Sequence, residues 1–218
     1  MKIAILGGTG SIGEGLAMRW SQKHDIIIGS RKCEKAEDSA NKYCTILEEC
    51  DLTGNISGCI NADAVKQADV VVLSIRYEHA ISTIESVKPY LKDGHILISI
   101  VVPMTRDGYF KYTPPMEGSA AMEFKKVLPE GVKLVSAFHN VSAKKLSDIE
   151  EKLKMDVFIC GDDEEANQIV SDLVRDIPDL RPLIAGPLEV SSMVESLTPL
   201  LVNLAMYNKK KHLGIQCV

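Results

Sequence analysis

No stretch of this sequence runs for about 18 residues on apolar side chains alone, so no membrane-spanning helix is expected. The six cysteines (Cys33, Cys44, Cys50, Cys59, Cys160 and Cys217) contain no C-x-x-C pair, and the five histidines have no zinc-like spacing. No metal site is therefore expected. A basic excess is also missing: 25 Lys and Arg stand against 30 Asp and Glu, giving a net charge of −5 at pH 7. That balance argues against nonspecific nucleic-acid binding. There is no internal repeat and no low-complexity tract. The first residues already read as a strand, so no signal peptide is expected. With that, the cysteines read as reduced thiols in a cytoplasmic protein.

What the chain does have is an ordinary globular composition. Of 218 residues, 45% are hydrophobic and 25% charged, with a mean hydropathy of +0.03, enough for a sizeable core. The length suits a nucleotide-binding domain over residues 1–140 and a smaller C-terminal unit over 141–218.

The opening thirty residues are the most informative. Lys2-Ile3-Ala4-Ile5-Leu6 reads as a buried parallel strand, and Gly7-Gly8-Thr9-Gly10-Ser11-Ile12-Gly13 follows at once. This satisfies G-x-G-x-x-G from Gly8. A helix from about Ser11 to His24 and a second strand, Asp25–Gly29, complete the start of a dinucleotide-binding βαβ unit. The glycines allow the tight turn and let backbone approach a pyrophosphate. The helix N-terminus adds free N–H groups and a partial positive charge.

The end of the second strand lacks the Asp or Glu that would accept a hydrogen bond from an NAD ribose 2′-OH. Gly29-Ser30-Arg31-Lys32 stands there instead, with Lys35 four residues past Arg31. A guanidinium and a hydroxyl suit a 2′-phosphate, so NADP is the expected dinucleotide. The competing reading is an ordinary solvated basic patch.

Further along, strand and helix signals alternate. Helices are expected at Cys33–Cys50, Asn61–Gln67 and Glu78–Leu91, with another opening at Ser119 and one running from Gly161-Asp162-Asp163 to Asp176. Strands are expected at Asp69–Ile75, His95–Ile100, Val132–Phe138 and Asp156–Cys160. Residues 53–58 read as a polar connection, and 104–117 as a long loop of the kind that often binds ligands. The pattern implies an α/β fold with a doubly wound parallel sheet. Leu188 to Met206 is apolar on most faces, so it should be buried, either between subunits or within the chain. Pro199 should kink or break it. Tyr207-Asn208-Lys209-Lys210-Lys211 fits Y-x-x-x-K but lacks the upstream serine context of a short-chain dehydrogenase, and reads as a cationic helix end.

In an open parallel sheet, ligands bind beyond the C-terminal strand ends. The segments arriving there are Gly8–Ile12, Ser30-Arg31, Ser74–Tyr77, Val101–Pro103 and His139–Ala143, mostly small or apolar. Such a lining suits hydride transfer between flat rings, with little acid–base machinery. His139 is the exception, read as a hydrogen-bonding wall residue rather than as an acid, so no catalytic side chain is expected.

Several blocks resemble a known family. They are Gly7 to Ala17, Gly29-Ser30-Arg31, Glu78-His79-Ala80-Ile81, Ser119-Ala120-Ala121, Val135 to His139, Cys160-Gly161-Asp162-Asp163, Leu180 to Leu183, Ala185 to Leu188, Val194 to Leu200 and Leu213-Gly214-Ile215. Together they resemble the NADPH-dependent reductases of the 8-hydroxy-5-deazaflavin coenzyme F420, of archaeal type. The resemblance implies reversible hydride transfer between NADP(H) and F420. It implies NADP contacts at Gly8, Thr9, Gly10, Ser11, Ile12, Ser30, Arg31 and Lys35. Leu73, Ile75, Val102 and Ala143 would line the nicotinamide, and His139, Asn140, Val141 and Leu213 would flank the deazaflavin. A homodimer or larger homo-oligomer is expected. This chain has Arg76-Tyr77 where the family tends to show Pro-Trp, and Asn140-Val141-Ser142-Ala143 for Thr-Ile-Pro-Ala. The alternatives are another NADP-dependent reductase, of imine or ferric type, and a non-enzymatic NADP-sensing regulator.

Overall fold

The computed structural model describes residues 1–218. In chain order the elements are β1 (Lys2–Leu6), α1 (Ser11–Trp20), β2 (Asp25–Ser30), α2 (Cys33–Glu49), β3 (Asn55–Ile60), α3 (Asn61–Gln67), β4 (Val70–Leu73), α4 (Ala80–Val87), β5 (Ile96–Ser99), β6 (Met104–Asp107), β7 (Tyr109–Tyr112), α5 (Ala120–Val127) and β8 (Lys133–Ser136). Then come α6 (Ala143–Ser147), β9 (Met155–Gly161), α7 (Glu164–Arg175), β10 (Leu180–Gly186), α8 (Ser191–Glu195) and α9 (Leu197–Tyr207). One eight-stranded sheet has the order β10-β9-β8-β5-β4-β1-β2-β3, and β6-β7 is a separate hairpin.

The central strands are short apolar runs because both faces are covered. Along β1, Ile3 and Ile5 pack into the layer of α1, α2 and α7, while Ala4 and Leu6 pack into that of α3, α4 and α5. The order 3-2-1-4 reverses at β1, which places the crevice at the C-terminal ends of β1 and β4. Leu6 pairs with Gly29 on one side and Leu73 on the other, so the glycine turn, Ser30-Arg31 and Ser74-Ile75 all leave the sheet together.

The fully parallel sheet expected from the sequence is corrected at one junction. β8 and β9 are antiparallel, paired only at Val135–Gly161 and Ser136–Cys160, and β10 runs parallel to β9. A parallel return needs a crossover to the opposite sheet edge. Between β8 and β9 there is only α6, a five-residue helix that packs on α1: a Cβ at Gly15 would lie 2.6 Å from the Leu146 backbone. The chain stays at the C-terminal edge and re-enters from there.

Three further expectations change. The polar stretch 53–58 contains most of β3, an edge strand whose half-exposed residues carry little apolar signal. The long loop is in part the β6–β7 hairpin, closed by Gly108 at φ +72°; β6 is wholly exposed, so no alternation marked it. Leu180–Gly186, to which the sequence reading assigned no element, is β10, an edge strand where Pro182 is tolerated. The helix expected at 78–91 is regular only over α4, and Pro89 falls in the tighter turn that follows it.

The apolar C-terminal segment is only partly buried by its own chain: Leu188, Val194 and Glu195 are buried, while one face of its last helix is not. It breaks at Ser196 into α8 and α9, and Pro199 lies in the first turn of α9, where a missing N–H costs no helical bond. Leu200 and Leu204 are 51% and 42% exposed. No helix is long and apolar enough to cross a membrane.

Candidate functional site

The glycine turn is held by close contacts that only glycine permits. Gly7 has φ +81°, and a Cβ there would lie 2.3 Å from the Ser74 carbonyl. A Cβ on Gly13 would come within 2.6 Å of Gly8 Cα, so α1 sits directly on the turn. The Tyr43 hydroxyl donates to the Gly8 carbonyl at 2.9 Å and ties the turn to α2. α1 begins after Gly10 with no side-chain cap. Its first N–H groups, from Ser11 and Ile12 onward, are therefore free to bind an anion. Thr9 is half-buried at the crest of the turn.

At the end of β2, Ser30 is half-buried and its Oγ accepts a hydrogen bond from the Lys32 N–H at 3.3 Å. Arg31 and Lys35 are exposed, and neither pairs with a carboxylate. α2 starts at Cys33, so Arg31 lies outside it and does not share a helical face with Lys35. The two cations instead flank the β2–α2 corner.

Beside the turn lies a cavity of about 1430 Å³. Of the residues singled out in the sequence, Ser11, Ile12, Ile75, Val102, His139, Asn140, Val141, Ala143 and Leu213 line it. Leu73 does not. It is fully buried and points into the α3–α4–α5 layer, because strand alternation puts Ser74 and Ile75 at the opening instead. Gly8, Thr9, Gly10, Ser30, Arg31 and Lys35 lie outside this cavity, at the turn and the β2 corner described above.

Phe138 sharpens the exit from β8. It adopts φ +66° and packs edge-on against Trp20, with centroids 5.6 Å apart. A non-glycine residue in this conformation stores strain that the packing must hold. The sharp turn delivers His139 and Asn140 to the cavity. His139 is 3% exposed and both its ring nitrogens lack a hydrogen-bond partner. Burial pushes its pKa down to about 3, with the Val101 backbone acting weakly the other way. The imidazole is therefore neutral at pH 7. Asn140 Nδ2 donates to the Asp156 carbonyl at 2.6 Å, and its Oδ1 is unpartnered, as is Ser74 Oγ. Buried polar atoms are nearly always satisfied; these lie just beneath the cavity surface, on residues that line it.

The sequence pointed to 104–117 as a binding loop, but not to its individual wall residues or to those of α9. Met104, Thr105, Arg106 and Phe110 of the hairpin, with Thr198, Leu201, Val202 and Ala205 of α9, form the side facing the strand ends. Asn203 holds the hairpin on α9: its Oδ1 accepts from the Phe110 N–H at 2.8 Å and its Nδ2 donates to the Phe110 carbonyl at 2.6 Å. Thr198 Oγ1 donates to the His139 carbonyl at 2.5 Å. Glu195, fully buried, accepts from the Ala120 and Ala121 N–H groups and from the Tyr112 hydroxyl, joining hairpin, α5 and α8. Arg19, also buried, donates to the carbonyls of Leu146, Asp148 and Glu151, fixing the segment after Ala143 onto α1. The one signal that could have exposed these links is the presence of polar residues inside otherwise apolar faces.

The C-terminal segment closes one side of the cavity. Buried Asp156 accepts two hydrogen bonds from Arg181, at 2.6 and 3.0 Å, and one from the Cys217 N–H at 2.6 Å. Arg181 holds the Asp156 carboxyl down at about 2. The Asp156 N–H also donates to the Ile215 carbonyl at 2.8 Å, so the strap that carries Leu213 is pinned beside β9.

A switch-point glycine turn, a cationic corner without an acid and an adjoining ring-sized apolar cavity define a dinucleotide-binding protein of the oxidoreductase type. The family model described as NADP oxidoreductase, coenzyme F420-dependent, matches residues 2–103. The chain is 45% identical over 219 residues to the F420-dependent NADP reductase of Methanocaldococcus jannaschii, covering 99% of this chain and 97% of that one. It is 37% identical to the protein of the same name from Methanothermobacter marburgensis, over 99% of this chain and 97% of that one. A solved structure from Arthrobacter sp. FB24, named for an F420-dependent NADP-reductase, has a TM-score of 0.83 at 21% identity, with 100% of this chain and 99% of that one covered. That likeness is one of fold. The chain belongs to the F420-dependent NADP reductase family.

Proposed function

We propose that this protein transfers a hydride reversibly between NADP(H) and coenzyme F420. The observation that carries this reading is the apolar part of the cavity beside the glycine turn, formed by Ile12, Ile75, Val102, Val141 and Ala143; the cavity's ionised lining groups are Arg76, Glu78, Arg106, Lys144, Lys210 and Lys211. Its volume, about 1430 Å³, exceeds an ordinary single-ligand pocket and has room for two stacked rings. The reaction moves a hydride from the nicotinamide carbon to the deazaflavin ring, and a proton from solvent completes the reduced product. The chain's part is to bind, orient and keep water out. Neutral His139 serves as a wall against the ring and not as an acid. The 141–218 unit supplies the outer wall through α6, α9 and the strap. Mixing the protein with NADPH and oxidised F420 and following the deazaflavin's visible absorption tests the assignment: bleaching is expected, and its absence overturns it.

NADP rather than NAD is the proposed dinucleotide, because the β2 corner offers Ser30, Arg31 and Lys35 and no carboxylate. Charged hydrogen bonds to a phosphate are strong enough that Arg31→Ala should weaken NADPH binding about tenfold to a hundredfold. NADH use should barely change. Paired titrations with the two dinucleotides check this, and an equal loss of both counts against the role of Arg31.

We also propose a homodimer, or a larger assembly, closed through α9. Leu200 and Leu204 lie one turn apart on its exposed face, with Met193 and Tyr207 near by at 71% and 70% exposure. Burying a charge in such a contact is strongly unfavourable, so Leu200→Glu with Leu204→Glu should convert the assembly to monomers in sedimentation velocity. A wild-type protein that sediments as a monomer contradicts the interface. The six free cysteines are consistent with a reducing compartment, and we propose a cytoplasmic location.

A further inference from the structure

β9 is short of a neighbour over its first half. β8 pairs with it only at Cys160 and Gly161, while β10 runs beside it from Met155 onward. The N–H of Met155 donates toward β10, to the Asp179 carbonyl. The N–H and C=O of Asp156 therefore face the side that β8 has left. Buried backbone groups need partners, and two groups outside the sheet supply them. The Ile215 carbonyl accepts from the Asp156 N–H at 2.8 Å, and Asn140 Nδ2 donates to the Asp156 carbonyl at 2.6 Å. Asn140 lines the cavity, as does Leu213, two residues before Ile215. Two parts of the cavity wall, 73 positions apart in sequence (140 and 213), thus hang on one residue of β9.

The Asp156 side chain extends the same hold. Its buried carboxylate accepts the fork of Arg181 and the Cys217 N–H, and Arg181 also donates to the Cys217 carbonyl at 2.5 Å. The strap has no helix or strand of its own and leaves α9 through left-handed Lys209 and His212. Past His212, all its hydrogen bonds go to Asp156 and Arg181. Gly214 fits because it lacks a side chain: an added Cβ would lie 2.9 Å from Met155 Sδ. Arg181 does not line the cavity, and its side chain is 54% exposed.

We propose that Asp156 and Arg181 are positioning residues for hydride transfer, which set Leu213 relative to Asn140 and thereby seat the second ring against the nicotinamide. This rests on the reading that the cavity holds F420 beside NADP(H). Neither residue touches a coenzyme. The bond from Nδ2 orients the Asn140 amide and leaves its Oδ1 free, and the fork of Arg181 keeps the strap from drifting outward. A planar, bidentate donor suits this task better than a flexible point charge. The phosphates of the dinucleotide are held elsewhere, at α1 and the β2 corner, by residues with no bond to this pair.

Arg181→Gln and Gly214→Val test the proposal as separate variants of the full chain. The first removes the fork; the second leaves it intact and pushes the strap off Met155. Displacing a reacting ring by about 1 Å can cost a hundredfold, so kcat/KM for F420 should fall about tenfold or more in each. Hydrogen exchange of the Asp156 and Cys217 N–H groups should quicken in both. Arg181→Lys, with a single charged donor, should fall between wild type and Arg181→Gln. The Kd for NADPH, read by titration, should stay within about twofold, whereas a merely structural role would weaken both coenzymes together. Unchanged F420 kinetics in Arg181→Gln overturn the proposal, as does a matching loss of NADPH affinity or unaltered exchange. Wild type that reduces no F420, with exchange still quickened in both variants, overturns the F420 assignment beneath it while the hold on the strap stands.

Discussion

Gly10→Val is expected to lose NADP binding by more than about a hundredfold while its circular dichroism stays native. The expectation follows from how differently the glycines of the turn are used. A Cβ at Gly8 would lie 2.9 Å from the Ile5 carbonyl and from Ile28, and one at Gly13 would meet Gly8 Cα at 2.6 Å. Substitution at either position damages the fold and says nothing about the ligand. Gly10 is exposed, its φ of −96° and ψ of 163° suit a β-branched residue, and an added Cβ meets only the Gly7 carbonyl, at 3.4 Å. The protein itself does not require glycine there. A valine before the first turn of α1 costs about 1 kcal/mol in capping, too little to unfold the domain. The valine methyls would, however, occupy the space through which a pyrophosphate approaches the free N–H groups of Ser11 and Ile12. Normal NADP affinity in a titration of this variant would remove α1 from the site.

The same contrast explains what was legible in the sequence. Central strands such as Val70–Leu73 and Ile96–Ser99 are buried on both faces and announce themselves as apolar runs. The glycine turn is written in residues that few other local structures need. Asn55–Ile60 and Leu180–Gly186 are edge strands, half wet, and their sequences carry almost no period. The antiparallel step at β9 depends on how far the chain travels between Phe138 and Met155, which no local pattern encodes. The resemblance put Leu73 in the pocket, but which of two adjacent residues at a strand end faces the opening is a matter of register. Arg106, Phe110 and Thr198 reach the cavity through hairpin and helix docking, carried by Asn203 and Glu195 across more than seventy residues of sequence. Long-range polar links of this kind leave no trace in composition.

Ala143→Phe is expected to lower kcat/KM for hydride transfer by more than about a hundredfold, and to do so more severely than loss of the His139 side chain. Ala143 is the first residue of α6 and lines the cavity next to Val141 and Ile12. It is half-exposed, so a phenyl ring can extend into the cavity without displacing the core. Hydride transfer needs the two rings at a near-attack separation of about 3–3.5 Å, and a misplacement of about 1 Å is enough to cost a hundredfold. His139→Ala removes a neutral wall. Its loss should slow the reaction only about tenfold to a hundredfold, at the weak end of acid–base effects. Because burial holds the His139 pKa near 3, the ring does not titrate near neutrality, and the wild-type rate should show no inflection at pH 6.5 from this residue. Deuterium on the transferring nicotinamide carbon should appear on the reduced deazaflavin without exchange into solvent, since no side chain takes up the hydrogen on the way. Washout of the label, or complete loss of turnover in His139→Ala, would mean that a protein group handles the hydrogen, and the apolar walls at Ile75, Val102 and Ala143 would then be the wrong place to look for the chemistry.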